Sequence, residues 1–345
     1  MSKILFLTHR FYPDIGGIEI ISELLAENFV KAGYEVHLMT WSTDTTNKIF
    51  SYKVIRNPST RTLLKEHRWA DIVFENNPCV QLGWPKLIFR KPSVITLQTW
   101  ISRTNGVVNW KDKLKINLWL RNAKKVVAVS QRVADKTWSD STIIGNPYRQ
   151  ENFRILTNIE RDRNFIFVGR LVSDKGAELA IRAVKKITEL SKSSSVPAKP
   201  TLTIVGNGPE LSSLKALAEQ ENISAQVEFT GSLSGQALVQ KLNQHSILIV
   251  PSLWEEPFGV VALEGIACGC TAIVSDGGGL PEAVGLAGYT FSRGNIDSLV
   301  QQIVSVQTDD QGREQRSKMA SEHLAAFHPE KISRKYLNLI EAVLN

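Results

Sequence analysis

Two glutamates separated by a glycine-containing turn stand out in the second half of the chain. Glu256 and Glu264 bracket the sequence Pro-Phe-Gly-Val-Val-Ala-Leu, which follows the apolar run Ile247–Val250. Gly259 lets another backbone approach closely, and the free amides of a helix start favour a phosphate. Because carboxylates accept hydrogen bonds from hydroxyls, the pattern fits a ligand with hydroxyls on both sides of a diphosphate. By itself the spacing fits an ordinary helix start with two glutamates equally well.

Four further loops carry groups that bind anions. Arg170 and Lys175 share one loop after the apolar run Phe165–Val168, where they could neutralise a diphosphate. Taken alone, that loop is better interpreted as a solvated loop with two cations. The other three loops are rich in glycine: Gly16-Gly17, Gly206-Asn207-Gly208-Pro209 and Gly277-Gly278-Gly279. Exposed amides in such turns bind anions, although a turn that simply needs glycine is equally compatible.

Short apolar runs that alternate with helical patterns position these loops. Such runs predict strands buried on both faces of a parallel sheet. The predicted strands are Ile4–Leu7, Glu35–Met39, Ile72–Phe74, Ser93–Leu97, Val126–Val129, Phe165–Val168, Thr201–Val205, Val227–Thr230, Ile247–Val250 and Thr271–Val274. The predicted helices include Ile18–Ala32, Glu178–Leu190 and Glu210–Glu219. A break near residues 146–163 separates two sets of runs, which predicts an α/β protein with two Rossmann-like domains.

We therefore predict an N-terminal domain over residues 1–155 and a second domain over residues 156–328. A C-terminal helix over residues 329–345 is a candidate to pack back on the first domain. Ligands bind beyond the carboxyl ends of parallel strands, and four of the loops above follow strands of the second set. They fall on one sheet edge, which predicts a site there for phosphate and hydroxyl groups. The stretches over 41–62 and 99–110 are expected to be loops without a recognisable motif, and the polar loop over 191–200 is expected at the surface.

These motifs resemble those of glycosyltransferase family 4, retaining enzymes with the GT-B fold of two Rossmann-like domains facing a central cleft. The resemblance covers nearly the whole chain and is strongest from Phe165 to Glu282. The Glu-x7-Glu spacing carries it, together with the small residues that follow at Ala267-Cys268-Gly269. It implies that Glu256 holds the hydroxyls of the transferred sugar and that Glu264 holds the ribose hydroxyls.

The resemblance also implies roles for the neighbouring loops. Arg170 and Lys175 would take the diphosphate and stabilise its charge on departure, which makes them, with Glu256, the predicted catalytic set. Backbone amides near the phosphates would come from Phe258, Gly259 and Val260, with Gly16 and Gly17 closing over the donor, and Asn207, Gly208 and Pro209 bordering the base beside Phe229–Gly231.

One position departs from the family pattern. After the strand Ser93–Leu97 the family commonly places a histidine near the sugar, whereas this chain has Gln98. Glutamine donates and accepts hydrogen bonds but does not titrate near neutral pH. An altered sugar contact, a weakened activity and a shifted alignment all stay open as interpretations.

The charge of the chain is unevenly distributed. The formal net charge is +7, and the excess of Lys and Arg falls in residues 1–155, with a focus at Trp110–Arg121. Nucleic acid and an anionic membrane both fit such a balance, and the resemblance implies no nucleic acid. A basic helix with tryptophans lies well on an anionic membrane, but its apolar residues scatter over more than one face, so burial against the sheet is an equal alternative.

Metal-ligand motifs, cysteines and long apolar runs limit the functions that the sequence allows. No Asp-x-Asp motif or His/Cys ligand set appears, so no metal or other cofactor is predicted, and the three cysteines are expected to be buried thiols. The first apolar run is too short for a signal peptide and no run reaches a membrane span, so we expect a cytoplasmic protein, at most peripheral on the inner face of the membrane.

The resemblance implies transfer from a nucleoside diphosphate sugar to a glycan or lipid-linked acceptor in polysaccharide or glycoconjugate synthesis. A sugar-nucleotide epimerase or hydrolase of the same fold and a catalytically silent donor-binding protein are the alternatives.

Overall fold

The protein is described by a computed structural model that covers residues 2–14, 16–44, 46, 48–100, 110–191 and 200–345, without the side chains of residues 111 and 112. It divides into two compact units. The first unit joins Met1–Pro147 to Phe327–Asn345, and the second comprises Tyr148–Ala326. Most of the predicted loops over 99–110 and 191–200 lies outside the described residues.

The second unit begins a few residues before the predicted boundary at residue 156. Hydrogen bonds explain why this segment belongs to it: Asn243 Nδ2 donates to the carbonyl of Arg154 at 3.0 Å, and Leu156 N donates to Asn243 Oδ1 at 2.8 Å. The predicted break in the strand–helix pattern marked a linker, whereas these bonds show where the linker is anchored.

The first unit contains a seven-stranded parallel sheet in the order β3-β2-β1-β4-β5-β6-β7. Its strands are β1 Lys3–Thr8, β2 Glu35–Thr40, β3 Lys53–Arg56, β4 Ile72–Asn76, β5 Ser93–Leu97, β6 Lys125–Ala128 and β7 Thr142–Ile143. Its helices are α1 Gly17–Lys31, α2 Thr60–Trp69, α3 Val80–Gly83, α4 Pro85–Ile88, α5 Trp110–Arg121, α6 Gln131–Thr137 and, from the end of the chain, α14 Pro329–Leu344.

The second unit contains a six-stranded parallel sheet in the order β10-β9-β8-β11-β12-β13. Its strands are β8 Arg163–Val168, β9 Leu202–Val205, β10 Val227–Gly231, β11 His245–Val250, β12 Thr271–Ser275 and β13 Tyr289–Phe291. Its helices are α7 Ala177–Ser191, α8 Leu211–Gln220, α9 Gly235–Asn243, α10 Val260–Ala267, α11 Leu280–Val284, α12 Ile296–Thr308 and α13 Asp310–Ala326.

The α/β class and the two Rossmann-like sheets predicted from the sequence are confirmed. The central strands are continuous apolar runs because helices cover both faces of each sheet, and β9 is buried along its whole length. Three short strands, β3, β7 and β13, were not predicted, and each lies at an edge of its sheet. Edge strands are partly exposed, so they lack the uninterrupted apolar run by which the inner strands are recognised.

Strand order reverses once in each sheet, between β1 and β4 and between β8 and β11. Loops that leave these neighbouring strands diverge to opposite faces of the sheet, and the space between them is where ligands of such sheets bind. The reversal between β8 and β11 therefore directs attention to the loops that carry Arg170, Lys175 and Glu256.

The C-terminal helix α14 belongs to the core of the first unit. Tyr336 is fully buried, and its ring meets the ring of Phe74 edge-on, with centroids 5.5 Å apart. Ile332 and Ile340, one turn to either side, are also fully buried. On the outer side, Tyr34 donates a hydrogen bond from its hydroxyl to Glu341 Oε1 at 2.8 Å.

The burial of Tyr336 leads to a stability prediction. Replacing Tyr336 by alanine leaves a cavity between α14 and the sheet, and we expect a loss of about 3–5 kcal/mol in the free energy of unfolding. Lys335→Ala, on the exposed side of the same helix, is the matched control and is expected to change it by less than about 0.5 kcal/mol. Chemical denaturation measures both, and equal small losses would show that α14 contributes nothing to the core.

Candidate active site

Two loops meet beyond the carboxyl ends of β8 and β11. The carbonyl oxygen of Asp174 accepts hydrogen bonds from the backbone amides of Leu253 at 2.9 Å and Trp254 at 3.0 Å. Gly176 has a φ of +69°, and a Cβ atom there would overlap the carbonyl of Pro251. Main-chain contacts thus hold the two loops together where the strand order reverses.

An ion pair joins the side chains of these loops. Lys175 Nζ lies 2.6 Å from Glu256 Oε1, and both side chains are mostly buried. Ser252 Oγ donates to the same oxygen at 2.6 Å, and its own carbonyl accepts from Ser275 Oγ at 2.9 Å. Among the described residues no group bonds to Glu256 Oε2, so that oxygen can accept a hydrogen bond from a ligand. The structure therefore brings two predicted site residues into direct contact.

The loop after β12 fixes the backbone of Glu256. Gly279 N donates to the carbonyl of Glu256 at 2.7 Å. Gly278 has a φ of +71°, and a Cβ atom there would overlap that same carbonyl. The triple glycine, which the sequence predicted as an anion-binding turn, thus makes a close backbone contact beside Glu256.

Helix α10 begins immediately after this contact. Gly259, at its N-cap, has a φ of +110° and no room for a Cβ atom beside Leu280. Phe258 is buried and anchors the turn. The first amides of a helix have no intrahelical partner and carry a partial positive charge, so the turn from Phe258 to Val260 presents donors suited to an anion.

Glu264 lies about one turn further along α10 and is partly buried. Burial raises the pKa of its carboxyl from 4.5 to about 7, and the positive charge of Arg149 offsets only part of this effect. Among the described residues no group donates a hydrogen bond to this carboxylate. A carboxyl that lacks donors is chemically suited to receive hydroxyl groups from a ligand.

The other predicted residues of the second unit are placed differently. Arg170 is exposed, and no described carboxylate pairs with its guanidinium. Asn207 is exposed in the neighbouring loop. A Cβ atom at Gly206 would overlap the carbonyl of Gly169, and one at Gly208 would overlap the carbonyl of Leu171. Packing between the loops after β8 and β9 is sufficient to explain why Gly208 is glycine.

In the first unit, Gly16 is the N-cap of α1 and Gly17 is its first residue. The φ of Gly16 is −176°, an extended conformation open to any residue, and a Cβ atom there would meet only the Glu19 side chain. A Cβ atom at Gly17 would meet nothing within 4 Å. The fold of this unit therefore does not itself require glycine at these two positions.

Gln98 is buried in the first unit, and both ends of its amide are occupied. Its Nε2 donates to Thr96 Oγ1 at 3.0 Å, and its Oε1 accepts from Asn146 Nδ2 at 2.8 Å. Its backbone amide donates to Asn77 Oδ1 at 2.7 Å. These bonds account for the glutamine within the first unit itself, without a contact to a sugar.

Sequence reasoning did not single out Ser252, which donates to Glu256. A lone serine four residues before a glutamate in a loop carries no recognisable spacing, so only the folded loop reveals this contact. No group of three or more His, Cys, Asp or Glu side chains suited to a metal was found in the described part of the chain. All three cysteines are free and buried, as the sequence predicted.

Comparison with known proteins decides the family. The sequence model described as "Glycosyl transferases group 1" matches residues 148–323, which is more than half of the chain and coincides closely with the second unit. The chain is a group 1 glycosyltransferase. The matched residues contain the Lys175–Glu256 pair, the triple glycine and Glu264.

Relatives and solved structures agree with this family. An uncharacterized glycosyltransferase of Methanocaldococcus jannaschii is 26% identical over 357 residues, which cover 93% of each chain. Another from the same archaeon is 37% identical over 134 residues, which cover 39% of this chain but only 32% of that protein. The structure of Anabaena HepE in complex with UDP-glucose superposes with a TM-score of 0.81 over 99% of this chain and 100% of that one, at 18% identity. This likeness confirms the GT-B fold.

The pKa of Glu264 predicts how stability depends on pH. In the folded glycosyltransferase the carboxyl of Glu264 keeps its proton up to about pH 7. In the unfolded chain the same carboxyl loses its proton near pH 4.5. Its contribution to stability is therefore present below pH 4.5 and is lost as the pH rises to 7. We expect Glu264→Gln to raise the Tm at pH 8 by on the order of 5 °C and to leave it unchanged at pH 4.5.

Thermal denaturation at both pH values measures this effect. Glu322→Gln, at an exposed position of α13, is the matched control and is expected to change neither Tm. A Glu264→Gln variant with the parent's Tm at pH 8 would contradict the raised pKa.

The contact between Gly278 and Glu256 predicts a second effect on stability. Gly278→Ala and Gly235→Ala both force alanine to a positive φ, which costs about 1–2 kcal/mol. Only Gly278→Ala adds an overlap with the carbonyl of Glu256, because a Cβ atom at Gly235 meets nothing within 4 Å. We expect Gly278→Ala to lose about 1–3 kcal/mol more than the control in chemical denaturation. Equal losses would mean that the loop after β12 does not restrain Glu256.

Proposed function

We propose that this glycosyltransferase transfers a sugar, with retention of configuration, from a nucleoside diphosphate sugar to a glycan or lipid-linked acceptor in polysaccharide or glycoconjugate synthesis. The observation that carries the proposal is the Lys175–Glu256 pair at the strand reversal of the second sheet, beside the first turn of α10. It combines a carboxylate, a cation and helix amides at one place, which are the groups that a sugar diphosphate requires.

The donor would be bound along the chain's own polar groups. Hydroxyls of the transferred sugar donate to the open oxygen of Glu256, and the diphosphate lies against the amides of Phe258, Gly259 and Val260. The ribose hydroxyls donate to Glu264, and this lowers its pKa because hydrogen bonds favour the ionised carboxylate. Asn207 and Gly208 border the base. The complex of the Anabaena neighbour makes UDP-glucose the first donor to test.

Catalysis in this proposal relies on positive charge that is in place before the reaction. When the glycosidic bond breaks, charge develops on the departing diphosphate. The exposed guanidinium of Arg170, Lys175 and the amides at the start of α10 stabilise that charge, and preorganised groups of this kind supply several kcal/mol. The side chains thus supply the charge for which other enzymes use a metal ion. The acceptor hydroxyl attacks from the face on which the diphosphate departs and gives its proton to an oxygen of that phosphate, which gives retention.

One observation supports a second candidate function. Gln98 stands where the resemblance implies a histidine near the sugar, and its amide is engaged by Thr96 and Asn146. These bonds hold the amide in place, and the glutamine cannot titrate as a histidine would, which favours a protein that binds the donor without transferring it.

A panel of UDP-, GDP- and ADP-sugars separates the candidates. Thermal shift identifies the donor, and product analysis with and without a glycan acceptor panel follows. Sugar transfer that depends on an acceptor, with the anomeric configuration kept, supports the proposal. Donor consumption without an acceptor indicates an epimerase or hydrolase, and binding without turnover indicates the silent donor-binding protein.

The site itself predicts the effect of one substitution. Glu256→Ala removes the sugar-binding carboxylate but leaves the amides of α10 and the base-binding loop, so we expect transfer to fall roughly a hundredfold or more. Affinity for the free nucleoside diphosphate should stay within about threefold, because that ligand lacks the sugar. Glu219→Ala, at an exposed position of α8, is the control and should retain both activities. Loss of nucleotide affinity in Glu256→Ala would contradict the role of this residue.

A further inference from the structure

Helix α5 of the first unit has two apolar faces. Trp119 and Leu120 are buried and point into the unit. Trp110, Leu114 and Leu118 follow each other at intervals of four residues, so they form a separate stripe on the helix, and each is at least 50% exposed. The sequence left membrane contact and burial as equal alternatives for this helix, and the structure shows that its apolar residues divide between two faces.

A buried carboxylate sets this orientation. Glu75, at the end of β4, accepts a hydrogen bond from Trp119 Nε1 at 2.8 Å and pairs with Lys86 at 2.5 Å. The Lys86 ammonium lies 4.0 Å from the centre of the Trp119 ring. Because Trp119 is held inside by these contacts, the stripe at Trp110, Leu114 and Leu118 must face away from the core.

Helix α4 extends the apolar stripe. Leu87 and Ile88 are 49% and 60% exposed, and Leu87 lines a groove of about 400 Å³ together with Trp110, Leu114 and Leu118. We call these five side chains the outer apolar face. The surface that lines this groove is almost entirely apolar.

Basic side chains lie next to Leu114 on α5 and at the end of that helix. Lys113 and Lys115 on α5 are exposed, and Arg121, Lys124 and Lys125 line a second pocket of about 420 Å³ at the end of the helix, which Asp140 also lines. No described carboxylate forms an ion pair with any of these five cations. Exposed cations beside leucine and tryptophan are typical of helices that lie in an anionic membrane interface, whereas lysine is depleted in protein–protein interfaces.

We propose that the outer apolar face docks this protein on an anionic lipid bilayer, with α5 lying parallel to the membrane plane. Leucine and tryptophan side chains enter the boundary between head groups and acyl chains, and the surrounding lysines and arginine contact lipid phosphates. Within the part of the chain that the structure describes, every helix is too short or too polar to span a bilayer. The proposal concerns the first unit and does not rest on the proposed transfer reaction.

Vesicle flotation of the full chain tests the proposal. Vesicles of phosphatidylcholine mixed with phosphatidylglycerol should bind the protein, phosphatidylcholine alone should bind it weakly, and added salt should reduce binding to the mixed vesicles. Equal binding to both vesicle types, or binding to neither, would overturn the proposal.

Two pairs of variants locate the contact. Leu114→Ser with Leu118→Ser should weaken binding to mixed vesicles about tenfold or more, whereas Leu286→Ser, which is 65% exposed on the second unit, should not. Lys113→Gln with Lys115→Gln should weaken it by roughly fivefold for each lysine. Lys331→Gln with Lys335→Gln removes the same charge from exposed positions of α14 and should have a much smaller effect.

Three further measurements distinguish membrane docking from loss of folding and from dimerisation. An unchanged Tm for each variant shows that loss of binding is not loss of folding, since the replaced leucines are exposed. Retained vesicle binding in the double-leucine variant would overturn the proposal. A dimer in sedimentation that the same variant abolishes, without vesicle binding by the parent, would assign the face to a second copy of the chain instead.

Discussion

Close backbone contact between loops is the constraint on which the candidate site depends. Gly176 lies against Pro251, and Gly278 lies against Glu256, each with a positive φ and no room for a Cβ atom. Because these contacts involve main-chain atoms, the position of Glu256 is set by the fold of three loops rather than by the rotamers of neighbouring side chains. Ser252 then fixes the carboxylate, and Lys175 neutralises it. Such support is what holds a reactive group to the accuracy that chemistry needs.

A glutamate–lysine pair stands beside the strand reversal of each sheet, and burial separates their roles. In the first unit, Glu75 and Lys86 are sealed from solvent, and the indole of Trp119, the hydroxyl of Ser93 and the amide of Cys79 complete their hydrogen bonds. A fully buried and fully bonded pair organises the helices around it and has no capacity left for a ligand. The Lys175–Glu256 pair is partly exposed and keeps one carboxylate oxygen open. The same pairing therefore serves structure in one unit and is available for binding in the other.

The uneven charge of the chain can be related to the different ligands proposed for the two units. In the proposed function the second unit needs only a few cations beside the diphosphate, and its sequence as a whole is mildly acidic. The first unit carries the excess of lysine and arginine, part of which lies on α5 beside the outer apolar face and at the end of that helix. Charge near a membrane acts over about a Debye length, so a broad basic surface is useful there, whereas a donor site needs short, directed contacts.

The sequence by itself determined the two parallel sheets, because strands buried on both faces must be continuous apolar runs such as Ile247–Val250. It also predicted the segments that form the candidate site, since Arg170, Glu256 and Glu264 follow such runs at recognisable spacing. Edge strands such as Lys53–Arg56 could not be predicted from the sequence because a partly exposed strand lacks an uninterrupted apolar run. Only the tertiary structure decided that Lys175 pairs with Glu256, that Gly278 supports the same residue and that Gln98 is committed to Thr96 and Asn146. It alone also separated the two faces of α5. These outcomes depend on which atoms become neighbours across long stretches of chain, and local spacing carries no information about that.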